Sequence, residues 1–186
     1  MAEYSSDEER FAAVINFFKD YKTIILSSLA IIFISLISII SFQSYKETRN
    51  SDAAAIYDSW LTALESNNGG AKEIFDELQD TFSGTGYAQL AMMIKGSNLA
   101  RDGNLSDALE NFRLLLDDTS GYFGNDLLNS VAKINIARIE LSNKNFTNVL
   151  EVLDSFASNK EHPMVYEIKG DALVGLKKKE LAIEQY

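Results

Sequence analysis

The stretch GSNLARDGNLSDALENF, residues 96–112, sets the reading of the fold. Asp102-Gly103-Asn104 is a break of turn-forming residues between two helical patterns, Tyr87–Arg101 and Leu105–Asp117. The same alternation extends in both directions. Expected helices are Ala53–Ser66, Ala71–Phe82, Leu127–Ser142, Phe146–Phe156, Met164–Leu176 and Lys179–Tyr186, with breaks rich in Gly, Asn, Asp and Ser. No alternating apolar pattern with hairpin turns occurs, so the expected fold is all-α. Short helices joined in antiparallel pairs imply an α-solenoid and call for a search for a repeat.

Gly96, Ala108 and Phe112 lie 12 and 4 residues apart, and Gly170, Ala182 and Tyr186 repeat that spacing. The spacing resembles the tetratricopeptide repeat, a helix pair of about 34 residues. In that repeat a small residue and an alanine let the two helices approach closely, and an aromatic fills the space between them. Ala137, Val149 and Leu153 keep the spacing with degenerate residues, as do Ser59, Ala71 and Phe75. Successive small positions are 37, 41 and 33 residues apart, and the long step contains Gly121-Tyr122-Phe123-Gly124-Asn125. The resemblance implies about four helix pairs over 53–186, the last one truncated. The sequence stops at Tyr186, inside a second helix, and so reads as a piece of a longer chain, or else as one whose last helix docks on a partner; the first is favoured.

Function in such a solenoid lies on the concave face, formed mainly by first helices. The resemblance places Leu90, Met93, Ser97 and Arg101 there, then Ile134, Arg138 and Leu141, then Met164, Glu167, Asp171 and Val174. This mixture of apolar and charged side chains suits a peptide or an unfolded segment. Met93 and Ser97 stand where carboxylate-clamp repeats carry Lys and Asn, so that mode of binding is not expected.

Upstream, TIILSSLAIIFISLISIISF at 23–42 contains no charge, proline or glycine. As a helix, these twenty residues span roughly 30 Å, the thickness of a bilayer's hydrocarbon core. The serines can bond back to carbonyls one turn earlier. A signal peptide has a shorter apolar region after a short basic start. Here 22 mostly polar residues come first and no convincing cleavage site follows, so a retained transmembrane helix is expected. Residues 43–52 read as a polar linker that continues this helix out of the membrane.

In the tail, residues 1–22, Ser6-Asp7-Glu8-Glu9 matches a capping box. Phe11, Val14, Ile15 and Phe18 then follow at one-face helical spacing, widened by Phe17 and Tyr21. This face can lie at the membrane interface or dock a partner. Arg10, Lys19 and Lys22 precede the span, against Lys46 and Arg49 after it. That small excess slightly favours the tail inside.

Net charge is −10, and the chain has no cysteine, one proline and one histidine. An acidic domain is a poor nucleic-acid binder, because phosphate contacts need clustered Lys and Arg. Without cysteine there is no disulfide or thiol nucleophile. His162 stands alone before Pro163 and reads as a solvated loop residue. No phosphate-binding, hydrolase-elbow or zinc-protease motif is present. Asp76/Glu77 and Asp117/Asp118 read as surface and helix-end charges, and Lys177-Lys178-Lys179 as a turn. A non-enzyme without cofactor or metal is expected.

The order of parts resembles the ancillary SecYEG translocon subunit family, the YfgM-like proteins. The similarity is carried by Val14-Ile15-Asn16-Phe17-Phe18-Lys19 in the tail and by Tyr87-Ala88, Asp118-Thr119 and Ile136-Ala137-Arg138. Ile168-Lys169-Gly170-Asp171-Ala172-Leu173 in the last pair adds to it. The resemblance implies a single-pass protein of a bacterial inner membrane, with its tail cytoplasmic and its repeats periplasmic. The implied partners are the SecYEG translocon, a membrane-anchored periplasmic prolyl-isomerase-like chaperone, and unfolded or secreted polypeptides. A membrane-anchored scaffold for another cell-envelope complex is the alternative.

Overall fold

The computed structural model describes residues 7–66, 69–122, 124–154, 156 and 163–186, and among these it contains helices and no strand. The helices are α1 (Asp7–Asp20), α2 (Lys22–Glu65), α3 (Ala71–Phe82), α4 (Gly86–Arg101), α5 (Leu105–Asp118), α6 (Asp126–Ser142), α7 (Phe146–Asp154), α8 (Pro163–Gly175) and α9 (Lys179–Ile183). They fall into two compact units, Met1–Thr48 and Arg49–Tyr186, with α2 contributing residues to both.

The first unit holds α1 and the apolar part of α2. Apart from half-buried Ile25, the large side chains of the apolar stretch are exposed, from Ile24 at 61% to Phe42 at 62%, so no protein core accounts for them. Three of its serines bond within the helix: Ser27, Ser35 and Ser38 donate to the carbonyls of Ile24, Ile31 and Ile34 at 3.0, 2.8 and 2.9 Å. The helix is long and apolar enough to cross a membrane, with a mean hydropathy of 2.7 in its most apolar window. Residues 43–52 continue the helix beyond the apolar stretch, and it runs on without a break through the expected helix at 53–66 as far as Glu65, so α2 is one helix of 44 residues.

In the second unit consecutive helices pack on one another from α3 to α9, and α6 also packs on both α4 and α8. That pattern follows from the sequence. α3, α5 and α7 are strongly amphipathic and bury one face. α4, α6 and α8 carry apolar residues on more than one side, because each packs on a preceding second helix, its own mate and a neighbouring first helix. α7 ends at Asp154 and α9 at Ile183, both short of the expected helix ends.

Three turns join first to second helices with the same geometry. Gly103, Lys144 and Lys177 adopt positive φ of 83, 61 and 61°. The next amide in each case reaches back five residues: Asn104 to Leu99, Asn145 to Glu140 and Lys178 to Leu173, each at 2.9 Å. These are Schellman-type ends, which satisfy carbonyls left free by the helix. The turns are 41 and 33 residues apart, the same steps that separate Gly96, Ala137 and Gly170.

The close approach is where the spacing places it. Ala108, Phe112, Ala137, Val149 and Leu153 are fully buried, and Gly96 is buried against Phe112. A Cβ at Gly170 would fall 2.6 Å from Cζ of Tyr186, the same relationship in the last pair. The first pair departs from the expected register. Ser59 is exposed and bonds back to the Ala55 carbonyl at 2.9 Å. Trp60, 2% exposed, takes the buried place beside Phe75, with ring centroids 5.7 Å apart. A tryptophan where a small residue was expected holds α2 and α3 apart.

Candidate functional site

The packing of α6 against both α4 and α8 makes a continuous row of first helices, and that row carries the expected concave-face residues. Four of them serve the core as well. Leu90 and Met93 are half-buried against the larger apolar cluster, and Ile134 and Leu141 against the smaller. Ser97, Arg101, Arg138, Met164, Glu167, Asp171 and Val174 are exposed. Ser97 donates to the Met93 carbonyl at 2.8 Å, and Arg101 to the Asn98 side chain. Asp171 accepts from the Tyr186 hydroxyl at 2.6 Å, and this bond holds the tyrosine pKa above its usual value. The row therefore presents arginines on α4 and α6 and carboxylates on α8.

The carboxylate pairs have structural partners. Asp76 accepts from Lys72 at 2.8 Å, which draws its pKa down, and Asp118 accepts from Gln89 at 3.0 Å. His162 lies outside the described residues, as does Ser6 of the expected capping box. Among the described residues, no three His, Asp or Glu side chains converge as a metal would require. In the tail helix Phe11, Val14, Ile15 and Phe18 are all exposed, between 50 and 75%. Phe17 stacks on Tyr21 with centroids 4.7 Å apart.

Two features were not anticipated. Glu140 on α6 is 1% exposed, accepting from Arg113 of α5 at 2.9 Å and from Asn145 of the following turn at 2.7 Å. It ties one helix pair to the next. The second feature is a hollow of about 230 Å³ walled by α2, α3 and α4. Trp60, Leu64, Phe75 and Leu99 give it an apolar lining. Lys95 reaches in from α4 with its ammonium 3.8 Å from the centroid of the Phe75 ring, and burial pulls its pKa down. Lys95 sits on a different side of α4 from Leu90, Met93, Ser97 and Arg101, so a search confined to the concave-face spacing passes over it.

A family profile described as a tetratricopeptide repeat-like domain matches residues 16–186. The match takes in the apolar stretch as well as the helix pairs. No curated protein and no solved structure matches the chain.

Proposed function

Since this chain belongs to the tetratricopeptide repeat-like domain family, we propose that it is a membrane-anchored polypeptide-binding module of the bacterial cell envelope, accessory to the Sec translocon. In this reading 1–22 is a cytoplasmic tail and 23–42 spans the inner membrane. The helical stretch 43–52 connects to a periplasmic repeat domain at 53–186. The domain receives unfolded or secreted chains and passes them toward a membrane-anchored prolyl-isomerase-like chaperone.

The observation that carries the reading is the pairing of two features inside one family match. One is an apolar helix segment with none of its residues buried. The other is a row of first helices whose exposed side chains mix Arg101 and Arg138 with Met164, Glu167, Asp171 and Val174. Segments that must be held without chemistry need apolar contacts and charges of both signs, and no bound cofactor. The translocon assignment rests on the resemblance of the tail, span and repeats to the ancillary subunit family.

Purification of the full chain from detergent-solubilised inner membranes tests this. SecY and a prolyl-isomerase-like chaperone are expected in the eluate. A defined envelope assembly without either would make the chain a scaffold of that assembly.

A further inference from the structure

We propose that the hollow between α2, α3 and α4 is a recognition subsite for a polypeptide segment in which a large apolar side chain adjoins an acidic one. The proposal rests on the polypeptide-binding reading above and adds a site away from the concave row. At about 230 Å³ the hollow is smaller than the roughly 300–1,000 Å³ of a typical small-molecule site, so it accommodates one side chain rather than a whole ligand. Trp60, Leu64, Phe75 and Leu99 supply the apolar contact.

The charge comes from Lys95. Among the described residues it makes no ion pair, while the nearby Lys72 is already engaged by Asp76 at 2.8 Å. Asp102, the carboxylate in the hollow's wall, lies beyond ion-pair distance of Lys95. Lys95 is half-buried and its ammonium lies against the Phe75 ring face, which offsets only part of the lost hydration. Asp76, bonded to Lys72, attracts the Lys95 ammonium from beyond ion-pair distance, so an incoming carboxylate would meet a half-buried cation that has no direct ion-pair partner, where attraction is stronger than on open surface. The complementarity is local, because the chain as a whole is acidic, at −10. A chain still being exported presents internal segments, so the carboxylate is that of an Asp or Glu side chain.

The wall contains the only tryptophan in the sequence, so occupancy can be read directly. The full chain in detergent micelles is titrated with the end-blocked peptide acetyl-GDFG-amide, following Trp60 emission. Controls are acetyl-GNFG-amide and acetyl-GDGG-amide. The expected result is a saturable change with the Asp-Phe peptide and at least tenfold weaker binding of both controls. In the Lys95→Met variant, which keeps the stem, the Asp and Asn peptides should bind alike at an unchanged Tm. Equal binding of the Asp and Asn peptides to the natural chain overturns the proposal, and so does the absence of any response. If exported chains crosslink to position 138 while Trp60 stays silent, the hollow is excluded and the polypeptide-binding reading stands. Failure of both removes both.

Discussion

The Phe112 ring occupies the space that a side chain at Gly96 would need. A Cβ there would stand 2.9 Å from Cζ of Phe112 and 2.8 Å from Nδ2 of Asn111. Neither neighbour can yield easily: Phe112 is fully buried, and the Asn111 amide donates to the Met92 carbonyl at 2.6 Å. This contact fixes how closely α4 and α5 approach, and with it the position of the residues expected on the concave face of α4.

Gly96→Ala should therefore destabilise the domain. Overpacking costs about 1–3 kcal/mol, and alanine's helix propensity returns at most about 1 kcal/mol. Phe112→Ala should cost about 3–5 kcal/mol through the cavity it opens. Urea denaturation of the chain reads both. A rise in stability on Gly96→Ala would mean that the helices are not in close contact.

The three equivalent turns predict opposite effects for opposite substitutions. Lys144 holds a φ of 61°, which costs a side chain about 1–2 kcal/mol, so Lys144→Gly should raise the Tm. Gly103 holds 83° in the matching place, so Gly103→Ala should lower stability by about 1 kcal/mol. Changes of the same sign at both positions would contradict a shared turn.

Glu140 and Arg113 should be energetically coupled. Arg113→Met leaves a buried carboxylate with Asn145 as its remaining partner. The cost should fall below the roughly 3–5 kcal/mol of a fully buried pair, because the Arg113 side chain is 59% exposed and water screens it. A double-mutant cycle with Glu140→Ala should give a coupling of about 0.5–3 kcal/mol. Additive losses would show that the pair does not join the two repeats.

Membrane retention should depend on the apolar stretch alone. A lysine near the centre of a spanning helix costs about 2.5–3.5 kcal/mol, and two exceed what the flanking isoleucines supply. Ile32→Lys with Ile37→Lys should release the chain from alkaline-washed membranes, whereas the unaltered chain stays with the pellet. Retention of the double variant would place the anchor elsewhere.

The repeat was legible because it depends on short offsets within one helix pair. Gly96, Ala108 and Phe112 can be read from a single stretch of sequence, and the turn at Gly103 announces itself by composition. The first pair was not legible in the same way. Ser59 has the right spacing but faces outward, since the bulk of the neighbouring Trp60 decides which residue is buried. Glu140 met Arg113 from 27 residues away, across a boundary between repeats, and no local periodicity encodes such a partner. The hollow is similar. Trp60, Phe75 and Lys95 belong to three helices, and only their packing brings a cation over an aromatic face. The candidate groove residues were chosen by repeat position, but spacing alone did not show that Leu90, Met93, Ile134 and Leu141 serve the core.

The most direct test of the account is photo-crosslinking in living cells, with a photoreactive residue at Arg138 on α6 and, in a separate strain, at Glu151 on the second helix α7. Both positions are exposed, so they differ in face rather than in accessibility. The account predicts adducts with exported polypeptides from position 138 and few from 151. Equal labelling from the two positions, or adducts from 151 alone, would contradict a polypeptide-binding row built from the first helices.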